Sequence, residues 1–364
     1  MEMIPLVKPY IAPKEEMMSA IEKVLYSGYI AEGEAVYEFE REFGQYIENP
    51  LTVSLNSGTA ALHIALLLIG AGPGDEVIST AMTAEPTNTT IVLTGAKIVW
   101  GDIDLRTGLL DPVDVRKKIT NKTKAIILVH YAGMVCDMDE FNKISKEYGI
   151  PIIEDTAHAL GSKYSGKQVG SNSEYTCFSF QAIKHMTTVD GGVLALKSEE
   201  KLSLAKKLKW FGLDKKVSRL ENDIKIAGYK YGMNNINAAI GSIQLKHMSD
   251  VIGQYIMNGK FYDEALKNIS GVQLIPYNNN TEPSYWLYTM KVEDRDGFIK
   301  KMEDAGIMAS PLHHRSDTHS VFAESKCELP ALDKFYNEFV HIPCGWWVNE
   351  ETREYIVKQI KTGW

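Results

Sequence analysis

The sequence predicts an α/β fold, in which helices cross over between the strands of a mixed, mostly parallel sheet. From about residue 54 to residue 196, short runs of β-branched residues alternate with longer helical patterns, which is typical of strands joined by crossover helices. The apolar run at residues 151–155 also ends in two acids, at the strand end where open α/β sheets bind ligands.

The elements of this domain are predicted from their periodicity and from the turn residues that bound them. Strands are expected at residues 76–79, 97–100, 125–130, 151–155, 176–180 and 192–196. Helices are expected at residues 59–69, 138–148 and 199–210, and a glycine-rich loop at 70–74 closes the first of them.

A smaller α+β unit follows a polar linker around residues 214–223. A long helical stretch at residues 234–268 breaks near Ser249, and beyond it come predicted strands at 272–275 and 284–292 and helices at 297–305 and 332–338. We therefore expect a large domain at residues 1–248, whose N-terminal segment could pack on the small domain, and a small C-terminal domain at residues 249–364.

Composition excludes several classes of function. The chain has 364 residues, 45% of them hydrophobic, and a formal net charge of -8, so a globular enzyme is expected and nucleic acid is a poor partner. Its four cysteines lie far apart without a C-x-x-C pair, which predicts neither a metal site nor disulfides and favours the cytoplasm. The N-terminus lacks a secretory pattern and no run of about 18 apolar residues occurs, so no membrane association is expected.

Three segments carry residues suited to chemistry. In Asn56-Ser57-Gly58-Thr59-Ala60-Ala61-Leu62 a small-residue turn opens a helix, and the free amides of a helix start bind phosphate. An ordinary N-cap remains the alternative there. In Glu154-Asp155-Thr156-Ala157-His158, Asp155 is placed to pair with a protonated ring nitrogen such as that of pyridoxal phosphate (PLP); a helix cap or loop anchor is the alternative.

Lys184 is the third candidate. It stands among aromatic, apolar and small residues in Phe178-Ser179-Phe180-Gln181-Ala182-Ile183-Lys184-His185, where a low dielectric lowers the pKa of an amine and favours the neutral form that attacks an aldehyde. The alternative is a solvated loop lysine, the commoner fate of this residue type.

Together these motifs resemble the sugar aminotransferases of the DegT/DnrJ/StrS group, within the fold-type I PLP enzymes. The likeness covers nearly the whole chain. It is carried by Ile4-Pro5-Leu6, Ser27-Gly28-Tyr29-Ile30, Asn56 to His63, Leu128-Val129-His130-Tyr131, Glu154-Asp155, the Lys184 segment and Asn237-Ala238-Ala239-Ile240-Gly241.

The resemblance implies a role for each matching residue. Lys184 would hold PLP as a Schiff base and later shuttle a proton, Asp155 would pair with the pyridine nitrogen, and His158 would lie beside the ring and its hydroxyl. The cofactor phosphate would be held by residues of the helix start and of a neighbouring strand, namely Ser57, Gly58, Thr59 and Ser179.

Three positions depart from the family pattern. Ala84 stands where an aromatic residue usually covers the PLP ring, which leaves the stacking partner open. Lys230 replaces an asparagine that reaches the phosphate from the neighbouring subunit, and because lysine binds phosphate as a point charge we expect it to do so across a dimer interface. Val189 replaces a frequent glycine, a change for which the sequence offers no interpretation.

The resemblance also implies the reaction. Family members that remove a sugar hydroxyl have histidine at the position of Lys184, so the lysine favours transamination. L-glutamate would leave its nitrogen as pyridoxamine phosphate and depart as 2-oxoglutarate, and a nucleotide-linked keto-sugar, expected to be a 4-keto-6-deoxy sugar, would accept it by ping-pong kinetics. A homodimer with shared active sites is implied. A PLP-dependent dehydratase and a non-catalytic regulatory protein of the same fold remain the alternatives.

A smaller set of residues is expected near the substrate. Tyr29 lies, with Glu32, in a segment that borders the substrate in relatives, and the loop around Glu85 is expected to help select the sugar. His314 and Arg315 could meet a diphosphate or sugar hydroxyls, although a surface loop is the alternative. His185 is a substrate-side candidate next to Lys184, but adjacent residues of an extended loop point in opposite directions, which favours a structural role.

Overall fold

The structure is a computed structural model that describes residues 3–171 and 173–364. Its α-helices are α1 (Lys14–Leu25), α2 (Glu34–Tyr46), α3 (Gly58–Ile69), α4 (Glu85–Thr94), α5 (Pro112–Lys118), α6 (Met138–Tyr148), α7 (Glu199–Leu208), α8 (Asn235–Lys246), α9 (Met248–Leu266), α10 (Arg295–Asp304), α11 (Pro330–Glu338) and α12 (Glu350–Lys361). Its strands are β1 (Thr52–Leu55), β2 (Glu76–Thr80), β3 (Lys97–Gly101), β4 (Thr123–Val129), β5 (Ile152–Asp155), β6 (Lys163–Tyr164), β7 (Lys167–Gln168), β8 (Tyr175–Ser179), β9 (Gly192–Leu196), β10 (Val272–Leu274), β11 (Thr281–Glu282), β12 (Tyr288–Val292) and β13 (Phe339–Ile342).

A seven-stranded sheet in the order β1-β9-β8-β5-β4-β2-β3 forms the centre of the larger core. The neighbouring strands from β8 through β3 pair in parallel, and β9 runs antiparallel to both β1 and β8. Strands β5 and β9 are buried along their whole length, as parallel sheets covered by helices on both faces require. The predicted mixed, mostly parallel α/β sheet is confirmed.

A second core lies around the antiparallel sheet β10-β12-β13. Buried residues of α9, α10 and α12 pack on it, among them Tyr262, Phe298 and Ile356. The N-terminal segment reaches this part of the chain, because Ile4 forms a bridge with Ile307 and the Trp347 indole N–H donates to the Pro5 carbonyl (3.0 Å). The division at residue 248, which lies where α9 begins, stays a prediction.

Most predicted elements lie within one or two residues of the observed ones. The clearest difference is at residues 284–287, which were expected to begin a strand, whereas β12 starts at Tyr288. Tyr285 has a φ of +50°, which a strand does not accommodate. The backbone N–H of Ser284 donates instead to the Gly133 carbonyl (3.3 Å), so this segment pairs with the turn that contains Gly133.

That turn, residues 131–134, follows β4 and is densely packed. Gly133 has a φ of +94°, and a Cβ built there would lie 2.7 Å from the Tyr285 nitrogen. The Ser162 hydroxyl donates to the Gly133 carbonyl (2.8 Å) and pairs with the Ser284 hydroxyl (2.8 Å). The two cores are therefore tied together at a position that admits only glycine.

We predict that Gly133→Ala lowers the free energy of unfolding by roughly 3 kcal/mol or more, since it adds a backbone collision to the cost of a left-handed alanine. Gly149→Ala is the matched control. It also has a positive φ, of +67°, but a Cβ there meets nothing within 4 Å, so a loss of only about 1 kcal/mol is expected. Urea denaturation midpoints measure both, and equal losses would contradict the packing argument.

Candidate active site

The candidate active site lies at the carboxyl edge of the large sheet, where β5 and β8 end side by side. Asp155 is the last residue of β5 and is in register with Cys177 of the parallel strand β8. Ser179 ends β8, and the loop that carries Lys184 begins directly after it. The chain order therefore brings the acid and the lysine segment to one edge, as the sequence predicted.

The start of α3 abuts the end of β8. A Cβ built at Gly58 would lie 2.7 Å from the Ser179 Cβ, so only glycine lets the helix start come this close. The Ser57 hydroxyl accepts the Ala60 N–H (3.1 Å) and thus serves as the N-cap. The cap satisfies one amide of the first turn, so the positive end of the helix dipole still faces the site beside Ser179.

Asp155 is buried and held by two donors. The Thr87 hydroxyl donates to Oδ2 (2.7 Å) and the Ala157 N–H to Oδ1 (3.1 Å). Burial raises the pKa of the Asp155 carboxyl, while the two hydrogen bonds and the nearby Lys184 charge oppose that rise. A positively charged ring nitrogen beside this buried carboxylate would stabilise its ionised form.

The neighbouring acid has a different partner. Glu154 lies on the other face of β5 and pairs through Oε2 with His130 Nε2 (2.9 Å), and both side chains are buried. Alternation along the strand thus assigns Asp155 to the site and Glu154 to the interior.

Lys184 is not a solvated loop lysine. Its backbone N–H donates to Gln181 (3.0 Å) within a tight loop, and its ammonium lies 4.3 Å from the centre of the Trp286 ring. Burial lowers the pKa of the Lys184 amine to about 8, against an opposing attraction from Asp155. A large share of this amine is neutral at mildly alkaline pH and able to attack an aldehyde.

His158 belongs to the same cluster of side chains as Asp155 and Lys184, and its hydrogen bond defines the tautomer of its ring. The Ala132 N–H donates to its Nδ1 (3.4 Å), so the ring proton lies on Nε2. Burial, and next the Lys184 charge, hold the pKa of His158 well below its usual value, which keeps the ring neutral. Its face stacks on Trp286, with centroids 4.0 Å apart and planes 22° from parallel.

Three residues of this group are absent from the residues assigned by sequence. Thr87 comes from α4, Trp286 from the segment before β12, and His313 from a C-terminal loop that is fixed by the Ser316 N–H donating to the Ala81 carbonyl (3.0 Å). The His313 ring is parallel to that of His158, with centroids 5.7 Å apart. Burial, and next the Lys184 charge, lower the pKa of His313 to about 4.

Ala84 and Glu85 lie where the loop after β2 joins α4. Ala84 is the N-cap of α4, and its side chain is a single methyl group. Glu85 follows it, half-exposed, with its carboxylate 3.7 Å from the His319 ring nitrogen. His314 is exposed and shares a hydrogen bond with the Thr318 hydroxyl (2.8 Å), so it lies at the rim.

Two residues expected near the substrate have other partners in the structure. The Arg315 guanidinium donates to both oxygens of Asp317 (2.8 Å each) and also to Asp333, so its charge is already neutralised by two carboxylates. His185 is buried, with its ring 4.6 Å from that of Tyr255 and its Nε2 3.2 Å from the Ser284 carbonyl. These contacts fit the structural role that the sequence favoured for it.

Tyr29 and Lys230 lie apart from this group. Tyr29 is 79% exposed, and its carbonyl accepts from Asn235 Nδ2 (2.7 Å). The Lys230 carbonyl lies beside the α3 start, since it accepts from Asn56 Nδ2 (3.3 Å), but its ammonium rests 4.0 Å from the centre of the Trp210 ring. Both are surface groups of the single chain.

Comparison with known proteins gives one consistent result. The model of the DegT/DnrJ/EryC1/StrS aminotransferase family matches residues 12–361. AtS13 from Actinomadura melliaura is 38% identical and CalS13 from Micromonospora echinospora, a sugar aminotransferase, is 35% identical; each superposes with a TM-score of 0.96 over 100% of both chains. The Bacillus subtilis spore coat polysaccharide biosynthesis protein SpsC is 31% identical over 92% of this chain and 91% of its own.

The fold and the site define a PLP-dependent enzyme of fold type I, because a strand-end acid, a helix start and a buried lysine meet at one sheet edge. The chain belongs to the DegT/DnrJ/EryC1/StrS aminotransferase family. It is accordingly an aminotransferase whose cofactor is PLP. Among residues 3–171 and 173–364, no helix combines the length and hydropathy needed to cross a membrane.

We predict that Thr87→Val raises the dissociation constant of PLP about 10-fold, because Asp155 loses a buried donor and its pKa rises further. The loss should grow as the pH falls, since protonated Asp155 no longer attracts a pyridinium. Thr90→Val is the control: its hydroxyl is buried in the same helix but donates to the Thr87 carbonyl (2.8 Å). Equilibrium titration of cofactor-free protein with PLP distinguishes them, and equal affinities would contradict the role of Thr87.

Proposed function

We propose that this enzyme transfers the amino group of L-glutamate to a nucleotide-linked keto-sugar, and that the acceptor is a 4-keto-6-deoxy sugar. The observation that carries the proposal is the Lys184 amine, with its lowered pKa, lying beside the buried Asp155 at the sheet edge. The names of CalS13, a sugar aminotransferase, and of SpsC, a spore coat polysaccharide protein, support a sugar acceptor. We place the product in amino-sugar and surface polysaccharide biosynthesis on that basis.

The residues present fit PLP in charge and shape. Asp155 would meet the ring nitrogen, the start of α3 with Ser57, Gly58 and Thr59 would hold the phosphate together with Ser179, and His158 would meet the ring hydroxyl through Nε2. When bound, PLP supplies an aldehyde that condenses with primary amines and a pyridinium ring that withdraws electrons from the reacting carbon.

Lys184 has two tasks in this scheme. As a neutral amine it would hold the cofactor, and burial makes that form available near pH 8. When free of the cofactor, the same amine would take the proton from the substrate carbon and deliver it to the cofactor carbon. 2-Oxoglutarate leaves before the keto-sugar enters, so ping-pong kinetics follow.

The remaining side chains of the site orient the cofactor and the sugar. Asp155 stays ionised against a positive ring nitrogen, and the neutral His158 holds its Nε2 proton ready to donate. His313, not Arg315, is the C-terminal loop residue that lies with the catalytic group. We propose that His313 and Glu85 contact the sugar, with His314 at the rim and Tyr29 on the surface apart from this group.

Lys184 distinguishes amine transfer from the two alternative functions. A dehydratase of this fold would need a histidine at position 184, and the chain has lysine. A non-catalytic regulatory protein would not need a lysine amine whose pKa burial lowers toward neutrality. Both observations favour amine transfer.

We predict that glutamate labelled with ¹⁵N passes its nitrogen to the keto-sugar, and that Lys184→Ala reduces this transfer by a factor of at least about 1,000, because proton transfer and cofactor attachment are both lost. Lys206→Ala on the exposed face of α7 is the matched control. Mass spectrometry with a panel of dTDP-, UDP- and GDP-linked 4-keto-6-deoxy sugars reads the product. Absence of label with every acceptor, or undiminished transfer in Lys184→Ala, would refute the proposal.

We further propose that two copies share their active sites, with Lys230 of one chain completing the phosphate site of the other. Support comes from the position of Lys230: the residue is exposed, its backbone borders the α3 start and its ammonium lies over the ring of the half-buried Trp210. A cation held at the surface is available to a second copy.

We predict that mixing Lys184→Ala chains with Lys230→Ala chains restores roughly a quarter of wild-type activity, because half of the dimers are mixed and one of their two sites is intact. Refolded mixtures are compared with each variant alone. If Lys230 served the site of its own chain, no intact site would form and the mixture would be no more active than the average of the two variants.

A further inference from the structure

We propose that Trp286 is a positioning residue for the catalytic lysine: its indole face holds the Lys184 amine when that amine is not bonded to the cofactor. The inference rests on the proposed role of Lys184, and it adds to the site a residue from the segment before β12. Trp286 also aligns His158, so one indole sets the position of two of the groups proposed to act on the cofactor.

Trp286 makes two contacts with the lysine segment. Its ring centre lies 4.3 Å from Lys184 Nζ, and its Nε1 donates to the carbonyl of Ile183 (2.9 Å). The indole is thus fixed by its edge to the residue directly before the lysine, and it receives the end of the lysine side chain on its face. On the His158 side the ring makes a stacked contact at 4.0 Å.

Trp286 is held in position by burial and by the hydrogen bonds of the residues before it. The side chain is 1% exposed, and the preceding Ser284 donates its N–H to the Gly133 carbonyl and to the Ser162 hydroxyl (3.1 Å). The same turn orients His158 through the Ala132 N–H. Lysine, histidine and indole are therefore arranged by one rigid unit, which lowers the number of conformations open to the lysine.

The indole also changes the charge balance at the lysine. The titratable groups that face Lys184 are Asp155, His158, His185 and His313. Burial lowers the pKa of each of the three histidines, so they are neutral, and Asp155 is the carboxylate that attracts the ammonium. The face of an indole attracts a cation but not a neutral amine, so Trp286 stabilises the protonated lysine against desolvation.

This arrangement matters between the two halves of the reaction. The released amine must stay within reach of the reacting carbon and must carry a proton there. A four-carbon side chain without a defined resting place samples many rotamers. We therefore expect loss of the indole to lower kcat and to leave the KM for the keto-sugar nearly unchanged.

The direct test measures the pKa of Lys184 in the full chain without cofactor. Competitive labelling with acetic anhydride across a pH series, read by mass spectrometry of the Lys184 peptide, gives the fraction of neutral amine. In Trp286→Leu the midpoint should fall by roughly 0.5 to 1 pH unit, because the charged form loses its aromatic partner. Trp286→Phe keeps a ring face but not the N–H donor, so a smaller fall is expected.

Trp346→Phe is the matched control. Its ring also carries a lysine, Lys8, at 5.3 Å, and its Nε1 also donates to a backbone carbonyl, but it lies outside the site. The Lys184 midpoint should be unchanged in this variant. Loaded Trp286→Leu enzyme should show a kcat about 10-fold lower.

The outcomes separate this inference from the proposed function. An unchanged Lys184 midpoint in a Trp286→Leu chain whose circular dichroism matches the wild type would overturn it. If that variant does not fold, an unchanged midpoint together with an unchanged kcat in Trp286→Phe has the same force. Because the midpoint is measured without cofactor or substrate, a fall would support the inference even where no sugar is aminated, a result that would count against the proposed function alone.

Discussion

A buried carboxylate faces a buried amine at the edge of the large sheet, and the surrounding structure serves to keep both in place. Neither Asp155 nor Lys184 would be stable there alone, because each is removed from water. The Thr87 hydroxyl and the Ala157 N–H satisfy the carboxylate, while the aromatic face of Trp286 receives the ammonium. The pairing of β5 with β8 brings the two segments together, and the Gly58 contact adds the helix start.

The turn at residues 131–134 connects this site to the second core. It follows β4, whose neighbour β5 carries Asp155, and the His130 N–H donates to the Asp155 carbonyl (3.1 Å). Its Ala132 sets the tautomer of His158, and its Gly133 accepts the segment that delivers Trp286. A displacement of this turn would therefore change the environment of Lys184 directly, since the turn holds both His158 and the segment that carries Trp286.

Local patterns were sufficient for the elements and for the residues at strand and helix ends. Strand β9 and helix α6 lie where periodicity placed them, and Asp155 was identified because it stands at the end of an apolar strand pattern. Arg315, Trp286 and His313 could not be assigned in this way. Whether Arg315 is available depends on Asp333, 18 residues away, and the place of Trp286 depends on a left-handed Tyr285 and on Gly133. Such long-range contacts leave no local signal.

The charge balance of the site indicates what a single chain lacks. The histidines that face Lys184 are kept neutral by burial, and Arg315 is neutralised by Asp317 and Asp333. Among the described side chains of this group, Lys184 is thus the cation, and Asp155 already faces it. A substrate with a diphosphate, and a cofactor with a phosphate of its own, bring several negative charges to this edge, which the dipole of α3 offsets only in part. Under the proposed sharing of sites, positive charge from a second copy would supply the difference, and the exposed Lys230, whose ammonium lies on the half-buried Trp210 ring, is suited to that role.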